Sequence, residues 1–161
     1  MYFAKLSSGG PRFFSWHARC SPPGMSKERD LKKRTMNFAL AVSDLCEGLP
    51  NTSKGRHVSG QLFRAGTAVA ANYRAACRGK SKPDFIAKLG TVIEEADECD
   101  FWLEFAVAAK LLTPQTERAL RVESGELVAI FTQSQITARA SLAKATTAIL
   151  IAMAAAYYFI L

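Results

Sequence analysis

The chain has 161 residues, with 21 Lys plus Arg against 14 Asp plus Glu and a formal charge of +7. That length suits one domain and is short for two. Hydrophobic residues at 49% and charged residues at 22% exclude a wholly disordered chain, and with only two His and four Cys a His-rich metal enzyme is disfavoured.

The charge is unevenly distributed. Residues 1–82 carry 15 basic and 4 acidic side chains, +11, and residues 83–161 carry 6 basic and 10 acidic, −4, which together give +7. Two readings stay open: basic and acidic helices neutralise one another, within the fold or across a subunit interface, or a basic surface meets phosphate. Cys20, Cys46, Cys77 and Cys99 form no C-x-x-C pair, and neither His17 nor His57 stands at ligand spacing from one. No apolar stretch near the start is long enough for a signal-peptide core. Reduced thiols in a cytoplasmic protein are therefore expected, with no cofactor.

Residues 1–25 read as a disordered extension. They hold Gly9, Gly10, Pro11, Pro22, Pro23 and Gly24 and no acid, and Met25 is an alternative start. The first helix is expected over about Ser26–Leu49, with Leu31, Thr35, Phe38, Val42, Leu45 and Leu49 as its apolar stripe and Thr35 as the weak point. Gly48, Pro50 and Asn51 end it. A second helix over about Arg56–Cys77 repeats the spacing at Val58, Leu62, Ala65, Val69, Asn72 and Ala76. Its face is rich in small residues, among them Gly66 and Ala70, which lets a neighbouring helix approach closely. Ser81, followed three positions later by Asp84, is a capping pattern that opens a third helix reaching about Leu112, with Phe85, Leu89, Val92, Ala96, Cys99, Leu103 and Ala106 inward. Thr113-Pro114 starts the fourth, on Leu120, Leu127, Phe131 and Ala138, with Gly125 a soft spot.

No segment alternates as a strand between turns. Short links between long helices predict an all-α, antiparallel up-down four-helix bundle over residues 26–140, with a flexible N-terminal extension and an apolar helical tail at 141–161. Residues 145–161 carry no charge. Three roles compete for this tail: extension of the fourth helix onto another subunit, a poorly ordered end, or a membrane anchor near the lower length limit for a span. Tyr157, Tyr158 and Phe159 suit an interfacial belt or a core equally.

The stretch from Gln61 to Leu103 carries a resemblance. Its marks are the Arg64–Asn72 segment, the opening of the third helix at Ser81, Phe85, Ile86 and Leu89, and the acidic run Glu94, Glu95, Asp97 and Glu98 that leads into Phe101-Trp102-Leu103. Over about Met25–Arg139 the chain resembles the four-helix bundle proteins encoded in intervening sequences of bacterial 23S ribosomal RNA genes. The resemblance implies a homopentameric ring and no enzymatic activity. It also implies a nucleic-acid-binding role, because a related accessory protein of diversity-generating retroelements binds nucleic acid. Many members carry a Glu-Gly pair where Ala75 and Ala76 stand here.

Several residues carry candidate chemistry. Glu94, Asp97 and Glu98 share one helix face, but a di-iron site needs Glu-x-x-His partners and this helix has no His. The competing reading pairs the acidic face, Glu94, Glu95 and Glu98 included, with Arg64, Arg74 and Arg78, whose planar guanidinium can bind a carboxylate with two hydrogen bonds. Asn72 on the second-helix seam is expected to make an inter-helix hydrogen bond that fixes register, and Trp102 to anchor a core or interface. No catalytic or metal site is assigned, and no P-loop, H-E-x-x-H or G-x-S-x-G motif occurs. The nucleic-acid candidates are Lys32, Lys33, Arg34, Lys54, Arg56, Arg78, Lys80 and Lys82, whose binding to RNA or DNA phosphate would be non-specific and salt-sensitive. The alternatives are a protein–protein adaptor without a nucleic-acid role and membrane tethering by the tail.

Overall fold

The computed structural model describes residues 27–160, with the side chains of 27–29, 154–156 and 158–160 left aside. The expected N-terminal extension lies outside the described residues, as do Cys20 and the side chains of Tyr158 and Phe159. Four helices make up the fold: α1 (Lys27–Glu47), α2 (Ser53–Ala76), α3 (Lys82–Ala108) and α4 (Pro114–Ile160). Among the described residues there is no strand.

Consecutive helices pack on one another, and α1 touches α4 more thinly to close the bundle. Across α3 and α4 the partner's number falls as the residue's number rises. Gln135 donates to the Ile86 carbonyl, Ser124 to the Ala96 carbonyl, and Arg121 to Asp100. The same descent links α1 to α2, where Val42 faces Gly66 and Cys46 faces Ser59. It also links α2 to α3, where His57 meets Trp102 and Arg64 meets Glu98. These neighbours therefore run antiparallel. One end of the bundle gathers the α1–α2 and α3–α4 turns, and the other gathers the α2–α3 turn and the start of α1.

The stripes read from the sequence form the core. Phe38, Val42, Val58, Leu62, Val69, Leu89, Val92, Cys99, Leu103, Leu127 and Phe131 are buried together. Thr35 is not a weak point: it is fully buried, and its hydroxyl donates back to the Leu31 carbonyl at 2.9 Å, so its polar group is satisfied inside its own helix. The α2 seam differs by one position. Tyr73 is buried and packs on Phe131 with ring centroids 4.9 Å apart and planes tilted by 43°, while Asn72 is half-buried and makes no side-chain hydrogen bond among the described residues. Ser124, which the apolar pattern passed over, completes the α4 stripe by donating to the Ala96 carbonyl at 2.5 Å.

The helix ends show why some boundaries moved. α2 begins at Ser53 rather than Arg56, because the Thr52 hydroxyl accepts from the Gly55 N–H at 3.0 Å and caps it. A Cβ on Gly55 would sit 1.9 Å from the Pro50 carbonyl, so this first turn admits only glycine. Ser81 caps α3 by accepting from the Asp84 N–H, as expected, while Asp84 accepts from the Lys80 N–H at 2.9 Å. α3 stops at Ala108, short of Leu112. Lys110 takes φ 58° there, with Leu111 N–H donating to the Ala106 carbonyl and Lys110 N–H to the Val107 carbonyl. This is the left-handed C-terminal cap that glycine usually supplies.

Gly125 does not interrupt α4, which spans 47 residues, about 70 Å at 1.5 Å per residue. Its buried residues end at Phe131. Beyond Leu142 every described side chain is exposed, so the tail continues α4 as helix and leaves the bundle past the α2–α3 turn.

Candidate interaction surfaces

The acidic face of α3 divides between two neighbours. Toward α2, both Glu98 carboxylate oxygens accept from Arg64 Nη2, at 2.5 and 2.6 Å, and Glu98 Oε1 also accepts from Trp102 Nε1 at 3.1 Å. Arg64 holds the Glu98 carboxyl below the usual carboxylate range. Glu95 lies 3.5 Å from Arg64 but goes the other way, because burial pushes its carboxyl up and outweighs that guanidinium. Toward α4, Arg121 donates to Asp100 at 2.9 and 3.1 Å and to Glu104 at 3.2 Å. Glu94 and Asp97 are exposed.

Arg64 thus makes the expected pairing, but Arg74 and Arg78 do not. Both are exposed and form no ion pair among the described residues. Their places explain this: the acidic run sits opposite Arg64, whereas Arg74 lies in the last turn of α2 and Arg78 in the α2–α3 turn. Glu98 already accepts from Arg64 and Trp102. Among the described residues no three His, Cys, Asp or Glu side chains are grouped to hold a metal ion.

The eight nucleic-acid candidates do not share one face. Lys54 and Arg56 stand at the start of α2, at one end of the bundle, and Arg56 donates to the Asn51 side chain at 3.0 Å. Arg78, Lys80 and Lys82 stand at the other end, where Leu31 at the start of α1 shares a groove with Cys77 and Phe85. That places Lys32 and Lys33 at the same end. Arg34 is not an outward cation. Its Nε donates to Glu123 Oε1 at 2.6 Å, and its Nη2 donates to Glu123 Oε2 at 2.9 Å and to Glu126. It clamps α1 to α4, where the backbones touch least, and the paired carboxylates push its pKa further up. Sequence alone could not separate Arg34 from Lys33, because the acids that claim it are 89 and 92 positions away.

Arg74, Arg78, Lys80, Lys82, Arg139 and Lys144 therefore gather around the α2–α3 turn and the outgoing stretch of α4. α4 carries no acid after Glu126, and Asp84 at this end already accepts from Lys88 and the Lys80 N–H. Lys82 donates to Ser141 Oγ at 2.7 Å, tying the turn to α4.

A second surface lies at the opposite end, and the sequence reading saw only part of it. Phe101 and Phe105 are exposed on α3 beside half-buried Trp102, with ring centroids 5.0 to 6.3 Å apart. His57 of α2 meets Trp102 edge-on at 5.6 Å. The run Phe101-Trp102 was legible. That Phe105, one turn on, joins it on the surface follows from helical spacing once the core face is known.

Two of the described cysteines are core fillers. Cys46 and Cys99 are buried, and burial pushes the Cys99 thiol up to about 12.

No curated protein matches the chain. A crystal structure of a protein of unknown function from the S23 ribosomal protein family, from Bacteroides thetaiotaomicron VPI-5482, is similar to it at 30% sequence identity and a TM-score of 0.62. The match covers 65% of this chain and 97% of that one. Neither that protein nor the family model below has an enzyme name. The family model for the 23S rRNA-intervening sequence protein matches residues 27–133, which takes in α1 to α3 and the bundle portion of α4, and the chain accordingly belongs to that family.

Proposed function

We propose that the chain is a non-enzymatic, self-assembling four-helix bundle of the cytoplasm, a homopentamer as the family resemblance implies, that associates through the aromatic cluster on α3. The supporting observation is the exposure of Phe101 and Phe105 beside Trp102 within the family-matched segment. Large aromatic rings grouped on a surface recur at the centre of protein interfaces, where burying them supplies most of the binding energy. Glu94, Asp97 and Glu104 rim the cluster and suit a partner surface of opposite charge. In size-exclusion chromatography with light scattering, the chain is expected to run as an oligomer at micromolar concentration and Phe101→Ala/Phe105→Ala as a monomer. A monomeric parent chain refutes the reading.

A second reading, binding of RNA or DNA, is favoured by the end of the bundle where Arg74, Arg78, Lys80 and Lys82 outnumber Asp30 and Asp84. Such contacts would position phosphate without reading sequence, and a ring of copies would multiply the field. Gel shifts with a structured RNA at several salt concentrations test it. Binding is expected to fall steeply with salt and to weaken in Arg74→Glu/Arg78→Glu, and no shift at low salt removes it.

A further inference from the structure

The outgoing part of α4 has no counterpart in the rest of the bundle. Each bundle helix buries one apolar stripe and carries charged residues on its outer side, but from Ala145 onward α4 has no charged residue on any face. At 100° per residue, with uncharged Ala148 and Ala152 on the remaining side, Ile149, Leu150, Ile151 and Met153 spread over about 200° of the helix surface. Their exposures are 59%, 66%, 65% and 65%, and Tyr157 further along is 69% exposed. A helix that packs on a protein partner needs a single apolar stripe, whereas one that is apolar all round matches an apolar solvent. Among the described residues α4 is the one helix long and apolar enough to cross a membrane, and none of the qualifying window is buried inside the bundle.

The dimensions agree with this. Residues 145–160 of the uncharged run reach about 24 Å as helix, close to the roughly 30 Å of a bilayer's hydrocarbon core. Lys144 borders the stretch, and its long stem can carry its ammonium out to the headgroups. The charges at its base agree as well. The apolar helix leaves the bundle at the end that carries Arg74, Arg78, Lys80, Lys82 and Arg139, and the last Glu of α4 is far behind at Glu126. A bilayer entered by this helix would meet those cations at headgroup level, where basic residues beside an apolar segment are attracted to anionic lipid.

We propose that the outgoing segment of α4 inserts into a lipid bilayer, holding the bundle by its basic end against an anionic membrane surface. The segment makes no contact that the bundle needs, so the full chain with Ile149→Asp/Ile151→Asp keeps its fold, which an unchanged thermal unfolding curve verifies. The test is flotation of the full chain with phosphatidylcholine vesicles, with and without about a fifth of phosphatidylserine. The parent chain is expected to float with both compositions, more completely with phosphatidylserine, and to stay bound in molar salt. Each Asp is expected to lower partitioning about 100-fold, leaving the double variant in the bottom fraction. Arg78→Glu/Lys80→Glu should remove only the advantage of the anionic vesicles.

Failure to float overturns the inference. So does flotation that survives the double Asp substitution but vanishes in molar salt, since binding would then rest on the cations alone. Self-association that needs Ile149 and Ile151 and excludes vesicles overturns it in favour of a second copy. The assembly reading is checked in the double Asp background, so failure of one does not carry over to the other.

Discussion

Gly66 tests how closely α1 and α2 approach. A Cβ added there would lie 2.7 Å from Val42 Cγ1 and 2.9 Å from Val42 Cβ. Val42 is fully buried and branched at the atom that would be struck, so it cannot swing away as a flexible tip would. Gly60 and Gly125 also sit inside helices, but a Cβ at either meets nothing within 4 Å. Replacing a helical glycine by alanine gains about 1 kcal/mol from backbone entropy, and all three positions share that gain. Overpacking a tight contact costs about 1–3 kcal/mol, and only Gly66 incurs it. Gly60→Ala and Gly125→Ala are therefore expected to stabilise by about 0.5–1 kcal/mol, and Gly66→Ala to be neutral or to destabilise by up to about 2 kcal/mol. Urea unfolding followed by helical circular dichroism measures each difference. On a Val42→Ala background the methyl contacts are gone and only the 2.9 Å contact to Cβ remains, so Gly66→Ala should become less costly, a coupling of up to about 1–3 kcal/mol. If Gly66→Ala stabilises the parent chain as much as Gly125→Ala does, the close approach does not exist and the packing argument for the small α2 face fails.

Lys110→Gly should stabilise by about 0.5–1 kcal/mol, because it releases a left-handed Lys while keeping the hydrogen bonds to Ala106 and Val107. A lower melting temperature would contradict that conformation. Arg34→Met should destabilise by about 1–2 kcal/mol, since it strands the half-buried Glu123 where α1 meets α4. Glu123→Met added to it should recover part of the loss, and strict additivity of the two would show that the clamp does not form. The neighbours Glu95 and Glu98 should have opposite pH signatures. Glu98 is lowered by Arg64, so the stability it contributes is present above its unfolded pKa and is lost as pH falls through its folded one. Glu95 is raised by burial, so it favours folding below its unfolded pKa, and that advantage is lost as pH rises through its folded one. Glu95→Gln should therefore raise the melting temperature at pH 7 and Glu98→Gln lower it, and the same sign for both would refute the assignment.

Much of the fold was legible because burial of a helix stripe is a local property of spacing. Val58, Leu62 and Val69, or Leu89, Val92 and Cys99, declare the inward face without any knowledge of what covers it. Caps were legible where a side chain marks them, as at Ser81, and not at Lys110, where a backbone cap closes α3 without the usual glycine. Polar core members were misjudged for the same reason: the burial of Thr35 and Ser124 depends on carbonyls that accept from them, and hydropathy does not record those.

The candidate surfaces were less legible, because they depend on which residues from distant parts of the chain meet. From the sequence came the helices, their inward faces, the surplus of positive charge and an uncharged run too long to overlook. Tertiary structure decided that Arg34 is occupied, that Lys54 and Arg56 are a bundle length away from Arg78 and Lys80, and that Arg64 rather than Arg74 or Arg78 meets the acidic run. It also decided that the uncharged run leaves at the basic end with its described side chains exposed. Whether a charge faces water or a carboxylate is set by partners tens of positions away, and only the packed chain brings those partners together.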